Sequence, residues 1–369
     1  FIINDTDGVP PLATGWNEMV HWATVSGIHF NPVAYFLDAT LKAAQLQWTS
    51  GVVGASTWHR VVMTVLIMAA LPVTAMLVAR LVEAFGGPPV RASRLAVPIA
   101  VGFAVCAQVS APWSMYDPLV THPMFAALPT LLGLAYVACG LQALMTGAPL
   151  RHTVWAAAVG VVGFLTYEIM IAFTAALAAV TAAGVWRGRL ALGPRLWAVF
   201  GLPLLTFAIS RAVVAGNPDS DYGGTSLDLG ATTIRAWATA LATGQPVSGW
   251  WHARPFVELG RTGPYVVASA VLVAAALATW AWWASSTAQK PARNATWWTY
   301  ASLAVVAAAA PIPFVVTAQW GQALSQWGTT YMHSLVPMWC LAGALGLAAH
   351  GLVRGGRRAT TVAVIVVLT

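Results

Sequence analysis

Charge is what this chain has least of. Lys, Arg, Asp and Glu together make up 8% of its 369 residues, against 59% apolar residues. Soluble domains carry about 25% charged residues. A soluble chain of this composition would expose wide apolar patches, so that class is excluded. A disordered chain and a nucleic-acid-binding domain are excluded with it. Cysteine is scarce too. Cys106, Cys139 and Cys340 each lie in an apolar stretch, read as buried small hydrophobes, and form no disulfide framework or metal spacing. No Walker motif, Gly-rich dinucleotide loop or zinc-type spacing occurs. A nucleotide-driven enzyme or transporter is therefore disfavoured.

What is abundant is apolar sequence, with a mean hydropathy of +0.72. A membrane span needs about 20 apolar residues. Clear runs cover 61–82, 95–112, 123–146, 196–215, 263–284, 297–318 and 331–350, with a cut-off run from 359. The stretch 153–186 is too long for one helix. The fold expected is all-α, a polytopic transmembrane bundle. Phe1 is not a natural start and Thr369 ends inside an apolar run. The chain is expected to be one transmembrane domain, 1–369, cut at both ends, with about 11 spans in the full protein.

The basic residues are unevenly placed. Arg80, Arg91, Arg94, Arg151, Arg187, Arg189, Arg195, Lys290, Arg293, Arg354, Arg357 and Arg358 fall in one set of links, accompanied by a single acid, Glu83. By the positive-inside rule those links are cytoplasmic. The other links, 1–60, 113–122, 216–262 and 319–330, hold nine of the eleven acids and face outward. Arg151 and Arg187 then lie on one side, so an even number of crossings separates them. Residues 153–186 must be two short helices, with an outward turn near Tyr167 and Glu168.

Residues 1–60 form the first outer loop, and 216–262 a second long one. Within the first, 31–48 reads as an interfacial helix. Val33, Phe36, Leu37, Leu41 and Ala44 recur at helical spacing, and Asp38 with Lys42 forms an i, i+4 pair.

Chemistry is expected on the outer face. Asp5 and Asp7 follow the inferred lost span, where a partly buried carboxylate suits a general base. The plain alternative is a solvated turn, since N-D-T-D-G is rich in turn formers. Glu168 is an ionisable group inside an apolar stretch, a functional candidate by default. Its alternative is a structural hydrogen bond to a neighbouring helix. Arg211 near the outer end of 196–215 would, if buried, need an anion, either Glu168 or a lipid phosphate, and its plain alternative is snorkelling to the interface. Asp117 and His122 share a short outer link, and Arg254, Tyr331 and His333 sit in later ones. Trp16, Trp48, Trp113, Trp250 and Trp320 in the outer loops fit interfacial anchors.

In order along the chain, these pieces resemble the GT-C class of membrane glycosyltransferases, the group that includes protein O-mannosyltransferases and surface-polysaccharide glucosyltransferases. The resemblance rests on the D-T-D pair Asp5 and Asp7, GIHFNPV at 27–33, WHRVV at 58–62, DPLVTHP at 117–123, LTYE at 165–168 and SRAVVAG at 210–216. It covers roughly 1–216. Asn31 stands where that pattern has Arg.

The resemblance implies catalytic roles for Asp5, Asp7 and Glu168. It also implies substrate contacts from Arg211, Asp117, His122, Arg254, Tyr331 and His333. The implied donor is a polyprenyl-phosphate sugar. The acceptor is a glycan, lipid or protein hydroxyl, and the location is the plasma (inner) membrane with the active site outward. Membrane lipids are the surroundings, nucleic acid is no partner, and a divalent metal stays open. A transporter or lipid flippase and a non-catalytic membrane subunit are the alternatives. Convergence of Asp5 or Asp7, Glu168 and Arg211 on one outward cavity would favour the enzyme.

Overall fold

The computed structural model describes residues 9–24, 30–48, 51–106, 123–190, 193–215, 229–243, 293–317, 321, 323–324 and 332–353. Most of these residues are helical. An isolated β-bridge pairs Met145 with Leu190.

Two helices precede the bundle, α1 (Pro11–Thr24) and α2 (Pro32–Trp48), packed against each other. The bundle then runs α3 (Gly51–Ala84), α4 (Ala92–Cys106), α5 (Ala127–Leu144), α6 (Leu150–Thr166) and α7 (Met170–Trp186). A π-helical turn at Trp197–Gly201 leads into α8 (Leu202–Ala215). After it come α9 (Ala231–Thr243), α10 (Arg293–Ala309), the single turn α11 (Ile312–Val315) and α12 (Leu335–Val353).

Four stretches among the described residues are long and apolar enough to cross a membrane: Thr57–Ala84, Ala127–Leu144, Trp197–Val214 and Arg293–Val315. Ala92–Ala104, Leu150–Thr166, Met170–Trp186 and Leu335–Gly351 are shorter apolar helices. A 17-residue helix rises roughly 26 Å at about 1.5 Å per residue, just short of a bilayer core of about 30 Å. The expected run 263–284 and the run from 359 lie outside the described residues.

Residues 153–186 do form two helices, broken at Tyr167–Ile169. The segment before α3 is more structured than its composition suggests. It holds α1 as well as the expected 31–48 helix, and α3 starts at Gly51, ten residues before its hydropathic run. The Asp38–Lys42 ion pair is formed.

The links rich in arginine gather at one end of the bundle. Arg195 Nη1 donates to the Ala143 carbonyl at the end of α5 (3.0 Å). Phe85, after α3, stacks on Trp298 of α10 at 5.6 Å, and the Arg187 guanidinium lies 5.7 Å from the same indole. Gly86 turns the chain at φ +82°, a left-handed conformation open to glycine, with the Arg189 guanidinium beside it. α4 and α12 run antiparallel: Phe103 stacks on Trp339 at 3.9 Å, and Gly346 meets Ile99. The C-terminus of α12 therefore reaches this basic end as well.

The interior is packed by aliphatic and small side chains. α5 and α7 pack tightly at Gly133, where a Cβ would lie 2.2 Å from the Phe173 ring. Phe173 is 1% exposed, so only the absence of a side chain at 133 admits its ring.

Candidate functional site

At the end opposite the arginine-rich links, α6 stops at Thr166 and Tyr167 takes an extended conformation, φ −164° and ψ 149°. The Tyr167 N–H still bonds back to the Gly163 carbonyl (2.9 Å). The Tyr167, Glu168 and Ile169 carbonyls then accept from Met170, Ile171 and Ala172, which opens α7. No proline or glycine sits at the break. Glu168 thus stands just before the N-terminus of α7, where the helix dipole favours a negative charge.

Arg211, on the last turns of α8, reaches this carboxylate. Its Nη1 donates to Glu168 Oε1 at 2.8 Å. The two side chains keep 35% and 29% of their surfaces exposed, so the pair is open on one side. A guanidinium has five N–H donors. This bond occupies one, which leaves the rest of the fork able to receive a second oxyanion.

Beside the pair runs a row of rings. Tyr35 of α2 meets Phe125 edge-on at 5.3 Å, and Phe125 meets Tyr167 at 6.0 Å. Tyr167 stacks on Phe314 at 6.1 Å, and Phe314 lies 5.7 Å from the His333 ring. The row joins α2, the segment before α5, the α6–α7 turn, α11 and the turn before α12. A buried polar side chain marks each end. Among the described residues, Asn31, one turn before Tyr35, finds no hydrogen-bond partner for either side-chain atom, nor does either ring nitrogen of His333. Such groups are uncommon in protein interiors and costly to leave unmade.

Of the residues singled out from the sequence, Glu168 and Arg211 are brought together, and His333 is tied to them through Phe314 and Tyr167. Asp5, Asp7, Asp117, His122, Arg254 and Tyr331 lie outside the described residues. Among the described residues, no group of three or more His, Cys, Asp or Glu side chains is placed to hold a metal ion. The aromatic row escaped the sequence reading. Its members sit in five separate segments, and single aromatics in an apolar chain look like core or interface anchors. Of its rings the sequence singles out Tyr167, beside Glu168, and His333.

No protein-family model, curated protein or solved structure matches this chain.

Proposed function

We propose that the chain is the membrane core of a GT-C-like glycosyltransferase. It moves a sugar from a polyprenyl-phosphate donor to an acceptor hydroxyl at the outer face of the plasma membrane, in a full protein of about 11 spans. The observation that carries this reading is the Glu168–Arg211 pair: a half-open ion pair at the tip of a helix hairpin, with an aromatic wall beside it.

A guanidinium held by one carboxylate oxygen is fixed in orientation yet keeps donors for a phosphate. Rings of this kind suit the face of a sugar or an isoprenoid chain. In the reaction, Asp5 or Asp7 takes the proton of the acceptor hydroxyl. The oxygen attacks the anomeric carbon, and the bond from that carbon to the phosphate oxygen breaks with inversion. Arg211 stabilises the negative charge left on the lipid phosphate. Glu168 acts through Arg211, as the residue that positions it.

The test is binding of polyprenyl phosphate to the purified protein in detergent at low salt. Arg211→Ala should weaken it about tenfold, the worth of one or two charge-assisted hydrogen bonds. Arg211→Lys should restore part of the loss, because an ammonium keeps the charge without the fork. Unchanged affinity in Arg211→Ala would sink the assignment.

The pairing itself favours one other reading, a non-catalytic membrane subunit in which the two charges only neutralise each other. There the double variant Glu168→Leu/Arg211→Leu recovers the stability lost in either single variant. Lipid-phosphate binding is then indifferent to both.

A further inference from the structure

The end of the bundle remote from Glu168 holds a second place where charge meets apolar surface. A cavity of about 320 Å³ opens between the end of α3 and the start of α4. Arg80, Glu83 and Arg91 supply its polar side, and Met76, Ala79 and Val90 its apolar side.

The cations here are not fully matched. Arg80 Nη1 donates to Glu83 Oε2 at 2.6 Å, but its Nε is buried with no partner among the described residues. Arg91 stands exposed at the rim, with no side-chain partner among the described residues. The cavity thus holds two guanidinium groups and one carboxylate. α4 begins at Ala92 in the same wall, and the positive end of its dipole adds to the preference for an anion. A buried donor without an acceptor costs free energy that an oxyanion would recover.

The apolar side does not end at the cavity. Val61, Val65, Met68 and Pro72 are exposed and follow one another at three- and four-residue intervals on α3. The same spacing continues to Met76 and Ala79 in the cavity wall. One face of a helix long and apolar enough to cross a membrane thus leads directly into a cationic cavity. A free anion has no use for such a stripe, whereas a lipid acyl chain does.

We infer that this cavity binds the phosphodiester headgroup of an anionic membrane phospholipid, with one acyl chain along the Val61–Met76 face of α3. The inference is independent of the glycosyltransferase reading, since it uses none of the same residues.

The experiment is native mass spectrometry of the full chain in detergent, titrated with phosphatidylglycerol. Arg91→Gln, a rim variant that leaves the packed interior alone, should weaken binding about tenfold. Arg80→Gln should do the same where it folds. Glu83→Gln keeps both cations, removes the competing carboxylate and should tighten binding. Arg235→Gln, an exposed cation on α9, should change nothing. The deacylated headgroup glycerophosphoglycerol should bind at least about tenfold more weakly than the lipid, having lost the apolar contact. Wild-type affinity in Arg91→Gln would overturn the proposal, as would an equal loss in Arg235→Gln. Inorganic phosphate or glycerophosphoglycerol binding as tightly as the lipid would show a soluble-anion site and overturn it too.

Discussion

At the basic end of the bundle Arg195 holds the Ala143 carbonyl, Arg187 lies over the Trp298 ring and Arg189 packs against Gly86. At the other end Arg211 meets one carboxylate and keeps 35% of its side-chain surface open. The same residue type serves two purposes. Arg195 and Arg187 close off helix ends, where backbone carbonyls lack intrahelical partners and an indole face attracts a cation. Arg211 instead donates to a side-chain carboxylate, Glu168.

The sharpest way to break this comparison is a matched pair of alanine variants. Arg211→Ala should lower sugar transfer by about 10²–10³-fold, the usual cost of removing a charge-stabilising donor. Arg195→Ala should cost about 1 kcal/mol of stability and leave the turnover of the folded fraction near wild type. Equal losses of turnover would erase the distinction between the two ends.

A second test sharpens the pair itself. Glu168→Leu and Arg211→Leu, measured singly and together by thermal unfolding in detergent, should show a coupling of about 0.5–3 kcal/mol. Zero coupling would mean that the observed bond contributes nothing to folding.

Packing beneath the site is next. Gly133→Ala places a methyl group 2.2 Å from ring carbons of Phe173, three residues into α7. Overpacking of this kind costs about 1–3 kcal/mol and should loosen the Glu168 hairpin, seen as a lower melting temperature. The smallest effect belongs to the basic end. Gly86→Ala keeps φ near +82° only at a cost of roughly 1–2 kcal/mol, read as a lower melting temperature.

Much of this architecture was written in the sequence as distribution and little as motif. The arginines in short links required residues 153–186 to fold back on themselves, and the break at Tyr167–Ile169 is where that parity demanded it. Hydropathy alone would have missed it, because nothing helix-breaking marks the turn. α2 was legible from its apolar spacing. α1 was not, because Gly15 interrupts a short, mixed segment that a neighbour, rather than its own pattern, holds helical. The Glu168–Arg211 contact was one of two partners the sequence allowed, since an apolar span makes a charged residue seek its opposite. The aromatic row was illegible, for it is assembled by tertiary packing from segments up to 298 residues apart, Tyr35 to His333.

The π-helical turn ahead of α8 bears on all of this. The Leu202 N–H bonds to the Trp197 carbonyl five residues back, and the Tyr136 hydroxyl donates to the Val199 carbonyl within the turn (2.7 Å). Such a turn is an α-helix carrying one inserted residue. It therefore sets the angular phase of everything downstream, including the direction in which Arg211 leaves its helix. Removing a single residue between 197 and 201 would restore regular winding and rotate Arg211 by about 100°. The guanidinium would then swing off the hairpin by more than a quarter of a circle, with no change to either charged residue.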